Sequence, residues 1–160
     1  MPINAFIALG SNLGDRRGNI LKAVELLRSA GVVEVVKVSS LYETEPVGGP
    51  PGQGKYLDGA AEIRTSLGPH DLLKHLKQIE LKAGRTPSDV RWAPREIDLD
   101  ILLYGDMVID DSELTVPHLL LHKRLFMIEP LAEIAPGALH PILKKTALEI
   151  MKGLATAEKR

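Results

Sequence analysis

The segment Arg91-Trp-Ala-Pro-Arg-Glu-Ile-Asp-Leu-Asp-Ile-Leu-Leu-Tyr104 contains the strand on which the predicted fold depends. Its second half alternates polar and apolar residues, and successive side chains of a strand point to opposite faces of a sheet. We therefore expect Asp98 and Asp100 to share one face. The other face is expected to carry Ile97, Leu99, Ile101 and Leu103. The alternation predicts a core strand that presents two carboxylates side by side.

A pair of neighbouring carboxylates on a core strand indicates a metal site. The two charges repel each other, and a charge on a buried element is costly unless it is paired or bound to a metal. Hard oxygen ligands at this spacing suit Mg²⁺, which is commonly held by one or two carboxylates plus substrate phosphates. A structural salt bridge is the alternative for Asp98 and Asp100. Their apolar neighbours favour the metal.

Basic residues near the acidic pair indicate a phosphate ligand. Arg85, Arg91 and Arg95 precede the pair. Guanidinium groups bind phosphate oxygens through paired hydrogen bonds, although they also neutralise carboxylates. His118 and Arg124 are candidates for further phosphate contacts, while a histidine that follows a proline is more often structural. Together these residues predict a magnesium-dependent site that uses a nucleotide.

Composition limits the class of protein. A chain of 160 residues with 44% hydrophobic residues is expected to form one domain, residues 1–160. The net charge of −1 gives no overall attraction to nucleic acid or membrane, and the absence of Cys excludes disulfides and a cysteine nucleophile. Neither a signal peptide nor an apolar run of roughly 20 residues is visible. We expect a cytoplasmic protein, as a monomer or weak dimer.

The order of predicted elements indicates the fold class. Short apolar and alternating runs predict strands, and apolar residues at helical spacing predict helices. The predicted elements are a strand at Asn4–Leu9, a helix containing Ile20–Leu27, strands at Val32–Tyr42 and Tyr56–Thr65, a helix from Pro69 to Gly84, and the acidic strand. This βαββαβ order is typical of ferredoxin-like α+β folds. We expect a two- or three-layer αβ sandwich with an added hairpin strand and C-terminal helices.

Three local motifs predict where elements begin or turn. Gly10–Asp15 precedes a helix, but it lacks the Lys and Ser/Thr of a Walker loop, so a turn and helix entry are favoured over a phosphate loop. Gly105-Asp106 predicts a two-residue hairpin turn into a strand at Met107–Ile109. Thr146–Glu149 matches a capping box and predicts the start of the last helix.

Two long loops and two aromatic residues complete the candidate site. Thr44–Lys55 and Arg85–Pro94 lack periodicity, and long loops in small domains are often functional. Tyr56 and Phe126 are either plain core residues or, near Asp58, suited to a flat heterocycle.

Several of these motifs together resemble the 6-hydroxymethyl-7,8-dihydropterin pyrophosphokinase family. The resemblance spans nearly the whole chain, with the motifs in the family's order. They are Ile7–Gly14, Ser39–Pro46, Tyr56–Asp58, Arg91–Leu102 with its Arg-x-x-Asp-x-Asp block, and Val116–His118 through Arg124 and Phe126.

The resemblance implies that a pterin hydroxyl attacks the β-phosphorus of ATP, so that diphosphate is transferred and AMP is released. It implies that Asp98 and Asp100 hold two Mg²⁺ ions and act in catalysis with Arg85 and Arg95. The residues implied on the ATP side are Leu73, Glu80, Arg85, Arg91, Trp92, Arg95, Ile101, His118 and Arg124. Those implied around the pterin are Thr44, Pro46, Val47, Tyr56, Asp58 and Phe126.

One position departs from the family pattern, because Asp58 stands where an asparagine is usual. An ionised carboxylate accepts hydrogen bonds from pterin N–H groups but cannot donate, so we expect pterin binding to depend on pH.

Two other functions stay open at this point. A magnesium-dependent phosphotransferase or phosphohydrolase would use the same Asp98 and Asp100. An RNA-binding ferredoxin-like module needs exposed aromatic and basic residues on central strands. The strand Tyr56–Thr65 is acidic and poor in aromatic residues, which argues against RNA. Only small-molecule substrates, and no nucleic acid or membrane, are therefore expected as partners.

Overall fold

The computed structural model describes residues 2–46, 49–85 and 94–158. The strands are β1 (Ile3–Ser11), β2 (Val33–Val38), β3 (Tyr42–Thr44), β4 (Tyr56–Thr65), β5 (Asp98–Tyr104), β6 (Ile109–Asp110), β7 (Thr115–Val116), β8 (Leu139–His140) and β9 (Lys145–Thr146). The helices are α1 (Arg16–Ser29), α2 (Pro69–Lys82), α3 (Leu125–Ile134) and α4 (Ala147–Glu158).

The main sheet has the strand order β2-β4-β1-β5, and β3 also pairs with β4. All of these pairings are antiparallel. Strand β1 runs through the centre between β4 and β5, while helices α1 and α2 connect strands of the same sheet. This is the arrangement of a ferredoxin-like βαββαβ unit, so the predicted α+β fold is confirmed.

Apolar side chains on both faces of the sheet give three layers. Helices α1 and α2 bury Ile20, Leu27, Leu72 and Leu76 against the face that carries Ile7. On the opposite face, α3 and α4 enclose a second core that contains Leu102, Leu103, Leu121, Ile128 and Leu131. Burial of apolar side chains on both faces is the main stabilising contribution to such a sandwich. Among the described residues, no helix is long and apolar enough to cross a membrane.

The predicted alternation of β5 holds up to Ile101 and then fails. Ile97, Leu99 and Ile101 pack in the core beneath α1 and α2, as expected. Leu103 instead belongs to the core on the opposite face. The pairing of β5 with β1 shifts by one residue at this point, and one extra residue in a strand exchanges the two faces beyond it.

The predicted long strand Val32–Tyr42 is two strands, because the chain leaves the ladder at Ser39. The Ser39 hydroxyl accepts a hydrogen bond from the Ala60 main-chain N–H at 2.8 Å, in place of a main-chain carbonyl. The chain passes close to Gly59 here. A Cβ at Gly59 would lie 2.8 Å from a methyl carbon of Leu41. A side chain at position 59 would therefore displace the segment that joins β2 to β3.

The three local motifs have different outcomes. Asp15 is the N-cap of α1 and accepts from the Gly18 N–H at 3.1 Å, which confirms the helix entry. Thr146 and Glu149 exchange hydrogen bonds of 3.0 and 3.2 Å, which confirms the capping box. The hairpin prediction was wrong in its pairing, because Gly105-Asp106 forms a turn but β6 pairs with β7 and not with β5.

The role of Ser39 at the strand break can be tested by stability. In Ser39→Ala the buried Ala60 N–H loses its acceptor, and an unsatisfied buried donor costs about 1–3 kcal/mol of unfolding free energy. Ser29→Ala is the matched control, because the exposed Ser29 hydroxyl only donates to the Leu26 carbonyl within its own helix. Urea unfolding measures both variants. Equal stability of the two would contradict the role assigned to Ser39.

Candidate active site

Two adjacent cavities open at one end of the sheet. The first has a volume of about 280 Å³ and the second about 330 Å³. In the described part of the chain, both cavities are lined by the same four residues, namely Arg95, Asp98, Asp100 and His118. The predicted carboxylate pair therefore lies at a junction where two different ligands can meet.

The register of the sheet brings the two cavities together. Gly10 of β1 pairs with Asp58 on one side and with Asp98 on the other. Residues directly opposite one another in neighbouring strands project to the same face. A Cβ at Gly10 would lie 3.4 Å from Asp58 Oδ1 and 3.6 Å from the Tyr56 ring. Glycine at this position therefore leaves open the space between the Asp58 side chain and the junction.

The first cavity contains five of the residues expected around the pterin. They are Thr44, Pro46, Tyr56, Asp58 and Phe126. Arg124, expected on the ATP side, lines this first cavity and not the second. Its guanidinium carbon lies 5.6 Å from the centroid of the Phe126 ring, a distance typical of a cation–π contact.

Asp58 is a buried acid on the wall of the first cavity. Its side chain is only 7% exposed and accepts a hydrogen bond from the Thr44 hydroxyl. Burial, together with the negative charge of Asp98, raises the pKa of Asp58 to about 6, although the Thr44 bond opposes the shift. The carboxyl is therefore mostly ionised at neutral pH and becomes neutral in mildly acidic solution.

The second cavity contains Leu73, Glu80, Arg85 and Ile101, which are four of the residues that the resemblance implies on the ATP side. Glu80 holds two other parts of this wall in place. It accepts from the Leu99 main-chain N–H at 2.8 Å and from Arg85 Nη1 at 2.7 Å. Burial raises the pKa of Glu80, while these two hydrogen bonds oppose the rise. Glu80 thus fixes β5 and the Arg85 guanidinium relative to helix α2.

Charge is unbalanced at the junction. Arg95 Nη1 lies 3.3 Å from Asp98 Oδ1, and Arg85 Nη1 lies 3.7 Å from the same oxygen. Asp100 forms no salt bridge among the pairs within 4.0 Å in the described residues. Burial, followed by the charges of Asp98 and Glu80, raises the pKa of Asp100 well above its ordinary value. Asp100 therefore lies where an additional positive charge would be stabilising.

His118 supplies an uncharged donor at the junction. Its Nδ1 accepts from the Leu120 main-chain N–H at 3.1 Å, so the ring proton of the neutral side chain is on Nε2. Burial lowers the pKa of His118, and the attraction of Asp98 only partly opposes this. At neutral pH a neutral imidazole therefore lines both cavities.

The donor set at the junction fits Mg²⁺. Mg²⁺ prefers oxygen ligands and usually completes its shell with waters and substrate phosphates. Within residues 2–46, 49–85 and 94–158, no group of three or more His, Cys, Asp or Glu residues is placed to hold a metal ion. Asp98 and Asp100 therefore offer two carboxylate ligands, and waters or substrate phosphates would supply the remaining ligands of such an ion.

Three of the expected site residues lie outside the described part of the chain, and the cavity walls also contain residues that the sequence did not predict. Val47, Arg91 and Trp92 belong to the first group. The cavity walls add Gln53 to the first cavity and Lys77, Glu113 and Thr115 to the second. The only sequence signal for Gln53 was its position in the long loop Thr44–Lys55. No sequence signal distinguished Lys77, Glu113 or Thr115.

Asn12 was also missed, although it contacts both sides of the site. It lies within the Gly10–Asp15 segment, which predicts a turn and helix entry, and within the family motif Ile7–Gly14, but neither assigns it a role in the site. In the structure Asn12 Oδ1 accepts from the Arg95 N–H at 2.8 Å, and its Nδ2 donates to Gln53 Oε1 at 2.9 Å.

Comparison with known proteins gives a family. A family model described as 7,8-dihydro-6-hydroxymethylpterin-pyrophosphokinase (HPPK) matches residues 6–136. A 2-amino-4-hydroxy-6-hydroxymethyldihydropteridine pyrophosphokinase of Bacillus subtilis is 52% identical over 130 residues, which are 81% of this chain and 77% of that protein. An Aquifex aeolicus protein of the same name is 44% identical over 144 residues, covering 90% of this chain and 88% of its own length.

Longer proteins contain a similar segment. The mitochondrial folate synthesis bifunctional protein of Pisum sativum is 44% identical over 133 residues, which are 83% of this chain and 25% of that protein. The crystal structure of wild-type Plasmodium falciparum HPPK-DHPS with pteroate has a TM-score of 0.77 at 16% identity. It covers 99% of this chain, which spans only 43% of that longer chain. At this identity the structural likeness shows the fold alone.

The family model and the bacterial relatives agree with each other over most of the sequence. This chain belongs to the 7,8-dihydro-6-hydroxymethylpterin-pyrophosphokinase family.

Proposed function

We propose that this chain transfers diphosphate from ATP to the hydroxymethyl group of 6-hydroxymethyl-7,8-dihydropterin at the junction of its two cavities. Family membership makes it an ATP-dependent pyrophosphokinase of folate biosynthesis. In this reaction the hydroxymethyl oxygen bonds to the β-phosphorus of ATP while the bond from that phosphorus to the α-phosphate oxygen breaks. AMP is therefore the second product.

The single observation that carries this proposal is the shared wall of the two cavities. A transfer reaction needs two substrates bound next to each other, with the reacting atoms at their contact. Arg95, Asp98, Asp100 and His118 line both spaces, which supports one substrate on each side of the carboxylate pair. A simple phosphohydrolase requires only one ligand cavity and a water molecule.

We assign the junction to two Mg²⁺ ions held by Asp98 and Asp100 together with ATP phosphates. The raised pKa of Asp100, which follows from burial and neighbouring negative charge, supports the assignment because bound cations would relieve that repulsion. When bound, Mg²⁺ neutralises charge on the transferred group and brings nucleophile and phosphorus together.

The basic residues and His118 are assigned to the phosphates. Arg85 Nη1 and Arg95 Nη1 lie 3.7 and 3.3 Å from Asp98 Oδ1. Phosphate oxygens in the second cavity provide alternative acceptors, and charge-assisted hydrogen bonds to them are strong. Neutral His118 adds a donor from the opposite wall. Arg91 and Trp92 are assigned to the same side by resemblance.

The first cavity is assigned to the pterin. Tyr56 and Phe126 offer aromatic surface to a flat ring, and Arg124 packs near Phe126. Ionised Asp58 accepts hydrogen bonds from the ring N–H groups. Thr44, Pro46 and Val47 complete the proposed pterin contacts.

The RNA-binding alternative is disfavoured by the layer structure. Single-stranded RNA stacks its bases on aromatic side chains of an open sheet face. Here α1 and α2 cover one face of the sheet, and α3 and α4 pack over the other. The cytoplasmic location and the monomeric or weakly dimeric state stay proposals.

Product analysis tests the proposed reaction. Protein incubated with ATP, Mg²⁺ and the hydroxymethyl pterin should form pterin diphosphate and AMP in equal amounts, measured by chromatography. Asp98→Asn should lower kcat by roughly 10³-fold because it weakens metal binding. Asp106→Asn, in the exposed turn after β5, is the matched control and should retain full activity. ADP and phosphate as products would contradict the transfer, and an active Asp98→Asn enzyme would contradict the metal assignment.

The pH dependence of pterin binding tests the role of Asp58. Its pKa of about 6 in the free protein means that the accepting, ionised form is lost as the pH falls from 7 to 5. The Kd for the pterin should therefore rise about tenfold over this interval, since each pH unit below the pKa lowers the ionised fraction about tenfold. Isothermal titration calorimetry measures the change.

Asp58→Asn is the control, because an asparagine does not titrate while the other ionisable groups facing the cavity, including Tyr56 and Asp98, are retained. Its Kd should vary little between pH 5 and 7. A wild-type curve parallel to that of the variant would rule out Asp58 as the titrating group.

A further inference from the structure

Helix α2 lines the second cavity with one of its faces. The wall residues that it contributes are Leu73, Lys77 and Glu80. Positions three or four residues apart lie on the same face of a helix, so His70 extends this row by one turn toward the start of α2. Glu80, at the other end of the row, holds Arg85 next to Asp98. From Glu80 back to His70 the helix spans about 15 Å, so His70 lies far from the carboxylate pair along α2.

A short segment, residues 111–115, gives the second cavity a further wall. It lines the cavity through Glu113, Leu114 and Thr115. Leu114 is only 8% exposed and belongs to the same core as Leu72 and Leu76 of α2. Residues 111–113 are exposed. Burial therefore fixes Leu114, whereas the exposed residues before it depend on polar contacts for their position.

Asp111 supplies these polar contacts through both of its carboxylate oxygens. Its Oδ1 accepts from the Glu113 and Leu114 main-chain N–H groups, both at 2.9 Å, which closes the turn. Its Oδ2 lies 2.7 Å from His70 Nε2. The hydrogen bonds from Glu113 and His70 lower the pKa of Asp111, so the carboxylate is ionised at neutral pH and can only accept. His70 Nε2 is therefore the donor, whether the imidazole is neutral or charged.

The hydrogen bond between His70 and Asp111 thus joins two walls of the cavity at a distance from the reacting groups. Neither side chain is part of the cavity lining in the described part of the chain. Arg85 and Arg95, which are assigned to the phosphates, lie beside Asp98. The apolar walls of the same cavity are suited to the flat base of a nucleotide, and they include Leu73, Ile101 and Leu114.

We infer that His70 and Asp111 are positioning residues that hold the 111–115 wall against α2 and so fix the part of the second cavity that receives the nucleoside of ATP. This inference rests on the proposed function. Without the hydrogen bond, the exposed residues of the wall occupy other positions for part of the time. ATP then binds only the fraction of molecules whose wall is in place, and its apparent Kd rises in inverse proportion to that fraction. Inorganic triphosphate has no nucleoside and is insensitive to this wall.

His70→Ala tests the inference, because it removes the hydrogen bond and leaves the Asp111 turn in place. The ligand is α,β-methylene-ATP with Mg²⁺, in which the methylene group replaces the oxygen of the bond that the reaction breaks. Its Kd, measured by calorimetry, should rise about two- to fivefold, as expected for the loss of an exposed charged pair. The Kd of inorganic triphosphate with Mg²⁺ should stay the same. In steady-state assays the KM for ATP should rise while kcat is unchanged.

Two further variants distinguish positioning from a general loss of structure. His70→Gln should restore the wild-type Kd, because the glutamine amide can donate a hydrogen bond to the Asp111 carboxylate. Asp111→Ala also opens the turn, so it should weaken nucleotide binding more than His70→Ala does. When Asp111→Ala is already present, His70→Ala should cause no further rise in Kd, since its partner is absent.

Arg64→Ala is the matched control for the loss of an exposed contact between elements. The Arg64 side chain is 46% exposed, compared with 41% for His70. It contacts Asn4 and Glu34 at the end of β4 that is remote from Asp58. This variant should keep the wild-type Kd for both α,β-methylene-ATP and inorganic triphosphate.

The outcomes distinguish the two proposals. A wild type that forms no AMP overturns the proposed function. A wild type that forms AMP, together with a His70→Ala variant that binds α,β-methylene-ATP as tightly as the wild type, overturns only the inference about His70 and Asp111. So does an equal loss of affinity for inorganic triphosphate, a His70→Gln variant as weak as His70→Ala, or a further loss when His70→Ala is added to Asp111→Ala.

Discussion

Repulsion between two carboxylates on one strand is the constraint on which the site depends. Asp98 and Asp100 project from the same face of β5, and burial, followed by the negative charge of Asp98, raises the pKa of Asp100. Arg85 and Arg95 each form a salt bridge with Asp98, whereas Asp100 forms none within 4.0 Å among the described residues. Arg85 is itself held by Glu80, which also binds the main chain of β5. The protein thus maintains a repulsive arrangement that additional cations would stabilise, as expected of a site that binds Mg²⁺ with a polyphosphate.

The fold explains why the carboxylate pair faces the first cavity as well as the second. In the antiparallel sheet, Gly10 of the central strand is opposite both Asp58 and Asp98, so three neighbouring strands contribute to one surface. The apolar face of the same strands packs under α1 and α2, which fixes the register because a slip of one residue would bury the charges. The position of the carboxylate pair between two cavities therefore follows from hydrophobic packing on the opposite side of the sheet.

The sequence predicts features that depend on local periodicity better than those that depend on distant contacts. The face shared by Asp98 and Asp100, the βαββαβ order and the Thr146 capping box all follow from local patterns. The exchange of faces at Leu103 has no such signal, because the residues from Ile101 to Tyr104 are all apolar. Asn12 accepts a hydrogen bond from the Arg95 main-chain N–H, 83 positions away, and no pattern in one sequence identifies such a contact. The placement of Arg124 beside Phe126 is likewise a property of the packed structure.

Anomalous diffraction from Mn²⁺ is the most direct test of the central claim that the carboxylate pair holds the reaction's metal ions. Crystals would contain the chain with Mn²⁺, α,β-methylene-ATP and the hydroxymethyl pterin, with Mn²⁺ replacing Mg²⁺ at oxygen ligands. We expect anomalous peaks within coordination distance of carboxylate oxygens of both Asp98 and Asp100, between the two bound ligands. Peaks located only on the nucleotide, with both carboxylates bound to arginine, would contradict the account.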